Sequence, residues 1–503
     1  MQLLCCLSLG LLALVSRFAN IQAQNCGPRI RKDWDMLTAT EKTTYKNAIR
    51  AAMDSGDYIK FVEMHSEMRS EIEAHRQCIC MAITKELGGW TTGVERTLEI
   101  NGISNTGRCV TESPLDRFCQ LSSTRGSACA RCVPRSDWST ARVPASTSYA
   151  SVRSQVFTGV NIGQMSQLVE EGCHNNVHAN LEGTMADLAS PADPIFWSHH
   201  SMVDALHTIF HKCRVGTQRL TFAQKASHPV AWTSCGRRHG GAFRPTDVVT
   251  MRTGENGTNP IPGGRDPNIG RYFTGVPNQF AGLMDVRDLG SSSYGYAATG
   301  QLAAMYNQCD TSPRARKLEE TYTKNTTSKS TMCGVPEADG YDVDGNDYAS
   351  QNNFPETGHT GQDDDHQDIV IVDNSGIPIG ADTPKDVYIT EDSEKLVVDW
   401  YDQTIETMGG DSHDNRIDLE RQTCMFEHVC LGGTQDYSPE FKAIWKAKEP
   451  RCKTIVDAIL NDSAPIKYEP WREVMEAQFG CPEPTNSTNI TSPSGTDISS
   501  LDN

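Results

Sequence analysis

The stretch from His174 to Asp204 constrains this chain more than any other. It opens with His174-Asn175-Asn176-Val177-His178, two imidazoles at i and i+4, which a helix places on one face. It closes with Asp193-Pro194-Ile195-Phe196-Trp197-Ser198-His199-His200-Ser201-Met202-Val203-Asp204, where Pro191 and Pro194 hold the approach to a second helix. Imidazoles in this pattern point to a metal, and copper, zinc, iron and nickel all suit nitrogen donors. A zinc peptidase needs Glu directly after the first His as general base, and Asn175 stands there instead. Neighbouring residues on a helix point roughly 100° apart. His199 and His200 therefore cannot both face one ion squarely; one is expected as a ligand and the other behind it. His200, His207 and His211 also share a helical face, at i, i+7 and i+11. His207 and His211 are read as lying further along the helix, out of reach of the ion.

The blocks HNNVH at 174–178 and DPIFWSHHSMVD at 193–204 resemble the second-copper signature of the tyrosinase family. The resemblance runs from Arg29 to about Cys481 and is strongest to secreted molluscan tyrosinase-like proteins, shell-matrix ones included. It implies that His174, His178 and His200 bind the second copper, with His199 and Asp204 behind them and Asn175 orienting a water. For the first copper, the stretch Tyr58–His65 resembles the one bearing the first ligand, His65, and Glu73–Arg76 the one bearing the second, His75, or in an alternative register the third, with the second then missing. The third ligand of the family has no counterpart, because Gln77 to Trp90 contains no histidine and the region around 76–90 is shortened. The expected cofactor is copper, two ions if the first site is completed and otherwise one. A type-3 centre needs three imidazoles on each of two coppers about 4 Å apart to bridge dioxygen, so a two-ligand site would hold its ion weakly.

The rest of the 503 residues organises itself around this block. Residues 1–23 read as a signal peptide, with an apolar run over Leu3–Val15 too short to span a bilayer. Residues 24–310 would be the copper domain: mainly α, with a four-helix-bundle core presenting histidines inward. Within it, Thr38-Ala39-Thr40-Glu41 predicts a capping box and a helix through Ile49. Residues 311–395 read as an acidic linker, with short strands at Val370–Val372 and Val387–Ile389. From Glu337 to Glu394 sixteen acidic residues stand against Lys385 alone, a composition that favours solvated chain over a diffuse, weak Ca2+ surface. Residues 396–481 form a smaller, Cys-containing C-terminal region with helical spacing over Phe441–Leu460, and 482–503 a disordered tail. Cys5 and Cys6 leave with the signal; the sixteen cysteines from Cys26 to Cys481 predict disulfides. Cys129-Ala-Arg-Cys132 also fits half of a zinc ribbon, without a second such pair. Sequons at Asn256, Asn325, Asn461, Asn486 and Asn489 suit a secreted glycoprotein.

A net charge of −18 excludes nucleic acid and anionic membranes as expected partners, and a mean hydropathy of −0.48 excludes a polytopic membrane protein. The resemblance implies a secreted phenol oxidase that turns mono- or o-diphenols, or protein tyrosines, into o-quinones that cross-link or pigment an extracellular, shell-type matrix. The alternative is a catalytically impaired matrix protein on the same scaffold, acting through its acidic segment. A dioxygen carrier is disfavoured by the single domain without repeats.

Overall fold

A computed structural model describes residues 29–67, 86–232, 242–253, 259–309, 368–373, 375–380 and 383–481. The expected signal peptide, His75, most of the acidic segment, the disordered tail and all of the sequons but Asn461 lie outside these residues.

After β1 (Ile30–Lys32) comes α1 (Ala39–Ser55). Its capping box forms as the sequence predicts, with the Thr38 side chain accepting from the Glu41 N–H and the Glu41 carboxylate accepting from the Thr38 N–H. The helix runs six residues beyond Ile49 and stops at Gly56, whose φ of 75° is left-handed. α2 (Tyr58–Glu67) follows at once and carries His65. An antiparallel sheet comes next, of β2 (Glu95–Ile100), β3 (Ile103–Val110) and β4 (Val133–Arg135). Asn101 and Gly102, with φ of 47° and 74°, make the tight turn between β2 and β3 that matches strand twist.

The helical body starts with α3 (Tyr149–Thr158) and α4 (Ile162–Val169), then a π turn (Glu170–His174) leading into α5 (Asn175–Leu181), and α6 (Ile195–Arg214). Beyond α7 (Phe222–Ser227) the chain passes through the β5 (Thr250–Thr253) and β6 (Asn259–Pro262) hairpin, 3-10 turns, β7 (Gly295–Ala298) and α8 (Gly300–Asn307). β8 (Ile369–Ile371) then pairs parallel to β7, which also pairs parallel to β1. The first strand expected in the acidic segment therefore exists and is buried. The second does not: Lys385–Tyr388 is a single helical turn, α9, started by Pro384, whose fixed φ suits the start of a helix. The last elements are α10 (Asp392–Thr407), α11 (His413–Cys430), α12 (Pro439–Trp445), α13 (Arg451–Leu460) and α14 (Trp471–Phe479). The single helical stretch expected over Phe441–Leu460 is two helices, because Lys446 turns left-handed with φ of 52° and Pro450 opens the second.

The molecule is mainly α, as expected. One core cluster runs from Tyr149, Val156 and Phe157 of α3 through Val203, Leu206 and Phe210 of α6 to Tyr401, Leu419, Phe426 and Met475. The C-terminal helices thus contribute to the same core as the histidine-bearing body. Glu420, 1% exposed, cements the contact: it accepts from the Ser151 and Ser154 hydroxyls of α3 and from both arms of Arg451. Disulfides join Cys109–Cys132, Cys119–Cys129, Cys213–Cys309, Cys424–Cys452 and Cys430–Cys481, and Cys173 is disulfide-bonded too. Cys129 and Cys132 belong to separate bridges, which removes the zinc-ribbon reading. Among the described residues no helix is long and apolar enough to cross a membrane.

Candidate metal centre

His174 is the last residue of the π turn and His178 lies one turn into α5, which brings their ring centroids to 4.6 Å. The turn depends on Gly172, whose ψ of −114° is not helical. A Cβ there would stand 2.3 Å from the Gln155 side chain, and the Gln155 Oε1 accepts the Cys173 N–H at 3.0 Å. A glycine and a buried glutamine thus set the direction in which His174 points, as π turns at functional sites do.

α6 supplies the other two rings. Asp193, fully buried, accepts the Ile195 N–H and pairs with Arg135 through two bonds of 2.7 Å. Arg135 also donates to the Leu87 and Gly89 carbonyls, so the start of α6 is tied to β4 and to the chain before β2. One ring nitrogen each from His174, His178 and His199 lies within 4.8 Å of the others, and all three residues are buried. The group takes in His199, which the resemblance places behind the ion, while the expected ligand His200 lies beside it. The His200 ring stacks on Phe196 at 3.6 Å, and its centroid is 5.8 Å from both His174 and His178. The roughly 100° between adjacent helical residues separates the two histidines as expected; the rotation of α6 about its axis decides which faces the pair, and sequence does not record that rotation.

The donor set fits a metal ion. His174 Nδ1 donates to Asn175 Oδ1 at 2.9 Å and His178 Nδ1 to the Met185 carbonyl at 2.6 Å. Carbonyl oxygens only accept, so each imidazole keeps its proton on Nδ1 and presents a lone pair on Nε2, the arrangement that metal-binding histidines use. His65 follows the same rule, with Nδ1 donating to the Leu188 carbonyl at 2.6 Å, and its ring lies 5.2 Å from Phe196. Asn175, expected to orient a water, is placed to hold His174.

Asp204 does not stand behind the histidines. Its carboxylate accepts from the hydroxyls of Tyr294 and Tyr296 and pairs with Arg31, fastening α6 to β1 and β7. Burial together with that carboxylate pushes the Tyr294 and Tyr296 hydroxyls well above the usual phenol range. His207 and His211 line a cavity of about 240 Å3 with Asp285 and Asp368.

One residue at the site had no counterpart in the sequence reading. Trp445, at the end of α12, packs its ring against His178 at 5.3 Å, His174 at 6.3 Å and His65 at 6.4 Å. Its Nε1 donates to the Ala186 carbonyl at 2.7 Å. The only sequence signal was Pro439-Glu440-Phe441…Trp445, a short amphipathic turn with nothing to say what it covers. The site is consequently closed: His174 is 1% exposed, and His178 and His199 are fully buried.

Comparison with known proteins agrees with this geometry. No curated protein and no solved structure matches the chain significantly. A family model described as the common central domain of tyrosinase matches residues 34–212, the span that holds α1 to α6 and every histidine of the cluster. The family implies copper as the bound metal, and the buried imidazoles suit it. Residues 34–212 of the chain thus carry a tyrosinase-type central domain.

Proposed function

We propose that this chain is a secreted, copper-dependent phenol oxidase that converts mono- or o-diphenols, including protein tyrosines, into o-quinones for cross-linking or pigmenting an extracellular matrix of shell type. The observation that carries the reading is the convergence of His174, His178 and His199, with the Nδ1 protons of His174 and His178 anchored on oxygen. Bound copper would supply one-electron chemistry and the place where dioxygen is reduced. The protein's part is to hold the imidazoles in one tautomer, to keep water away with Phe196 and Trp445, and to fix α6 through Asp193 and Arg135. The disulfides and the exposed Asn461 are compatible with a secretory route. Matrix components, and weakly held Ca2+ at the acidic segment, are the partners this reading expects.

A second reading has its own support. Among the described residues the first-copper side offers His65 alone, and Trp445 packs against that ring. A chain with one copper or none would be a matrix protein on a tyrosinase scaffold. Copper per chain separates the two, measured on protein secreted from a eukaryotic host and purified without chelator, alongside catechol oxidation. Close to two coppers with quinone formation is the expected outcome; one copper or fewer without quinone overturns the oxidase.

A further inference from the structure

The metal site is closed to bulky phenols, yet a file of aromatic rings leads from it to the surface. The Phe196 ring lies 6.2 Å from that of His178 and stacks on His200 at 3.6 Å; Phe196 meets Trp197 at 5.0 Å; Trp197 meets Phe61 at 6.2 Å; and Phe61 meets Tyr272 at 5.3 Å. Tyr272 is 39% exposed. Trp197 and Tyr272 are the rings here that can lose an electron at moderate cost, and the two phenylalanines fill the gaps between them.

Two features at the outer end point to use of this path. The first is a proton acceptor. The Asp57 carboxylate stands beside the Tyr272 hydroxyl, one Arg271 nitrogen contacting both, and it titrates at about 2, chiefly because of that hydroxyl, against some burial and with help from Lys60 and Ser55. A phenol that loses an electron becomes a far stronger acid than any carboxylic acid, so Asp57 can take its proton. Arg271 donates to the same hydroxyl at 2.7 Å. The second is a place to dock. Tyr272 lines an open cavity of about 390 Å3 with Phe273, Leu289, Tyr294, Arg29 and Arg31, within the size range of small-molecule sites. Aromatic walls accept a phenol ring, and guanidinium groups favour one that carries carboxylates or sits on an acidic chain.

We propose that Tyr272 is a surface oxidation site, wired through Trp197 to the copper-binding histidines, at which phenols borne on acidic macromolecules are oxidised without entering the closed centre. The inference rests on the copper reading above. Cupric ion held by His174, His178 and His199 would supply the oxidant, taking one electron from the Trp197 indole. Tyr272 refills Trp197 with one electron and passes its proton to Asp57, becoming a phenoxyl radical. A docked phenol then gives Tyr272 a hydrogen atom, Asp57 releases its proton to water, and the substrate leaves as a phenoxyl radical. In sum, one cupric ion and one phenol yield one cuprous ion, one phenoxyl radical and one proton.

The test uses the copper-loaded full chain without oxygen, so that bound cupric ion is the sole oxidant. Copper content is measured first. Cuprous ion is then titrated with a cuprous-specific chelator after mixing with free catechol or with catechol attached to poly-glutamate. The expected result is that both reductants produce cuprous ion with the natural protein. Tyr272→Phe and Trp197→Phe should keep their copper and lose the reaction with the polymer, Tyr272→Phe retaining that with free catechol. A nitroso spin trap should add to the peptide carrying Tyr272 in the natural protein and not in Trp197→Phe. An undiminished polymer reaction in Tyr272→Phe, or no polymer reaction in the natural protein, overturns the inference while the copper site stands. Absence of bound copper overturns the site reading and this inference with it.

Discussion

Replacing Asn175 by leucine takes away the oxygen against which the His174 Nδ1 proton is held. The ring then loses its fixed tautomer and orientation, and copper affinity should fall by about 10–100-fold, as it does when such an outer partner of a metal ligand is lost. Competitive titration against a copper chelator measures this, and an unchanged affinity would show that Asn175 does not anchor the ring. The histidines themselves were legible, because no other residue type gives a buried nitrogen donor at helical spacing. Their anchors were not. The oxygens that hold His178 and His65 are the Met185 and Leu188 carbonyls, and a backbone carbonyl carries no signature of the residue it belongs to.

At the level of elements, the start of α6 depends on a buried ion pair. Asp193→Ala leaves the Arg135 guanidinium, 1% exposed, without its carboxylate, and breaking such a pair from one side costs about 3–5 kcal/mol. Urea denaturation should show the loss; a change under about 1 kcal/mol would mean that Arg135 finds another partner. The Asp-Pro of the motif thus reads as helix scaffolding, although Arg135, far off in sequence, could not have been named as its partner. The far end of α6 bears on pH. Burial lowers the His211 pKa, with Asp285 and Asp368 pulling it up and Arg287 and His228 adding to the fall. A histidine with a lowered folded-state pKa takes up its proton first in the unfolded chain. The stability it contributes is complete above the unfolded value of about 6.5 and is lost as pH falls through the folded value. The thermal midpoint of copper-free protein should therefore drop more between about pH 7.5 and about pH 5.5 than that of His211→Gln. Equal drops would exclude His211 as a source of acid sensitivity.

Over the whole molecule, the shared core of α3, α6, α10 and α11 makes one cooperative unit. Thermal unfolding of residues 29–481 should accordingly show one main transition, with the C-terminal helices melting alongside the histidine-bearing ones. A distinct early transition confined to those helices would contradict it. The Cys430–Cys481 bridge closes a separation of 51 residues at the edge of this unit. Replacing both cysteines by serine should lower stability by about 2–4 kcal/mol, read as a shift of the denaturation midpoint.

The sequence by itself determined the chemistry and its helical carriers. Histidine spacing, the Asp-Pro approach, the capping box at Thr38 and the cysteine count are local facts, and local rules of helix geometry, capping and metal affinity suffice to read them. The tertiary structure alone decided that His199 groups with the pair, that Trp445 closes the site, that β8 pairs beside β7, and that the C-terminal helices share the core. Each of these depends on contacts between residues far apart in the chain. Such contacts are settled by how apolar faces fill one another, and that packing leaves no period or motif along the sequence.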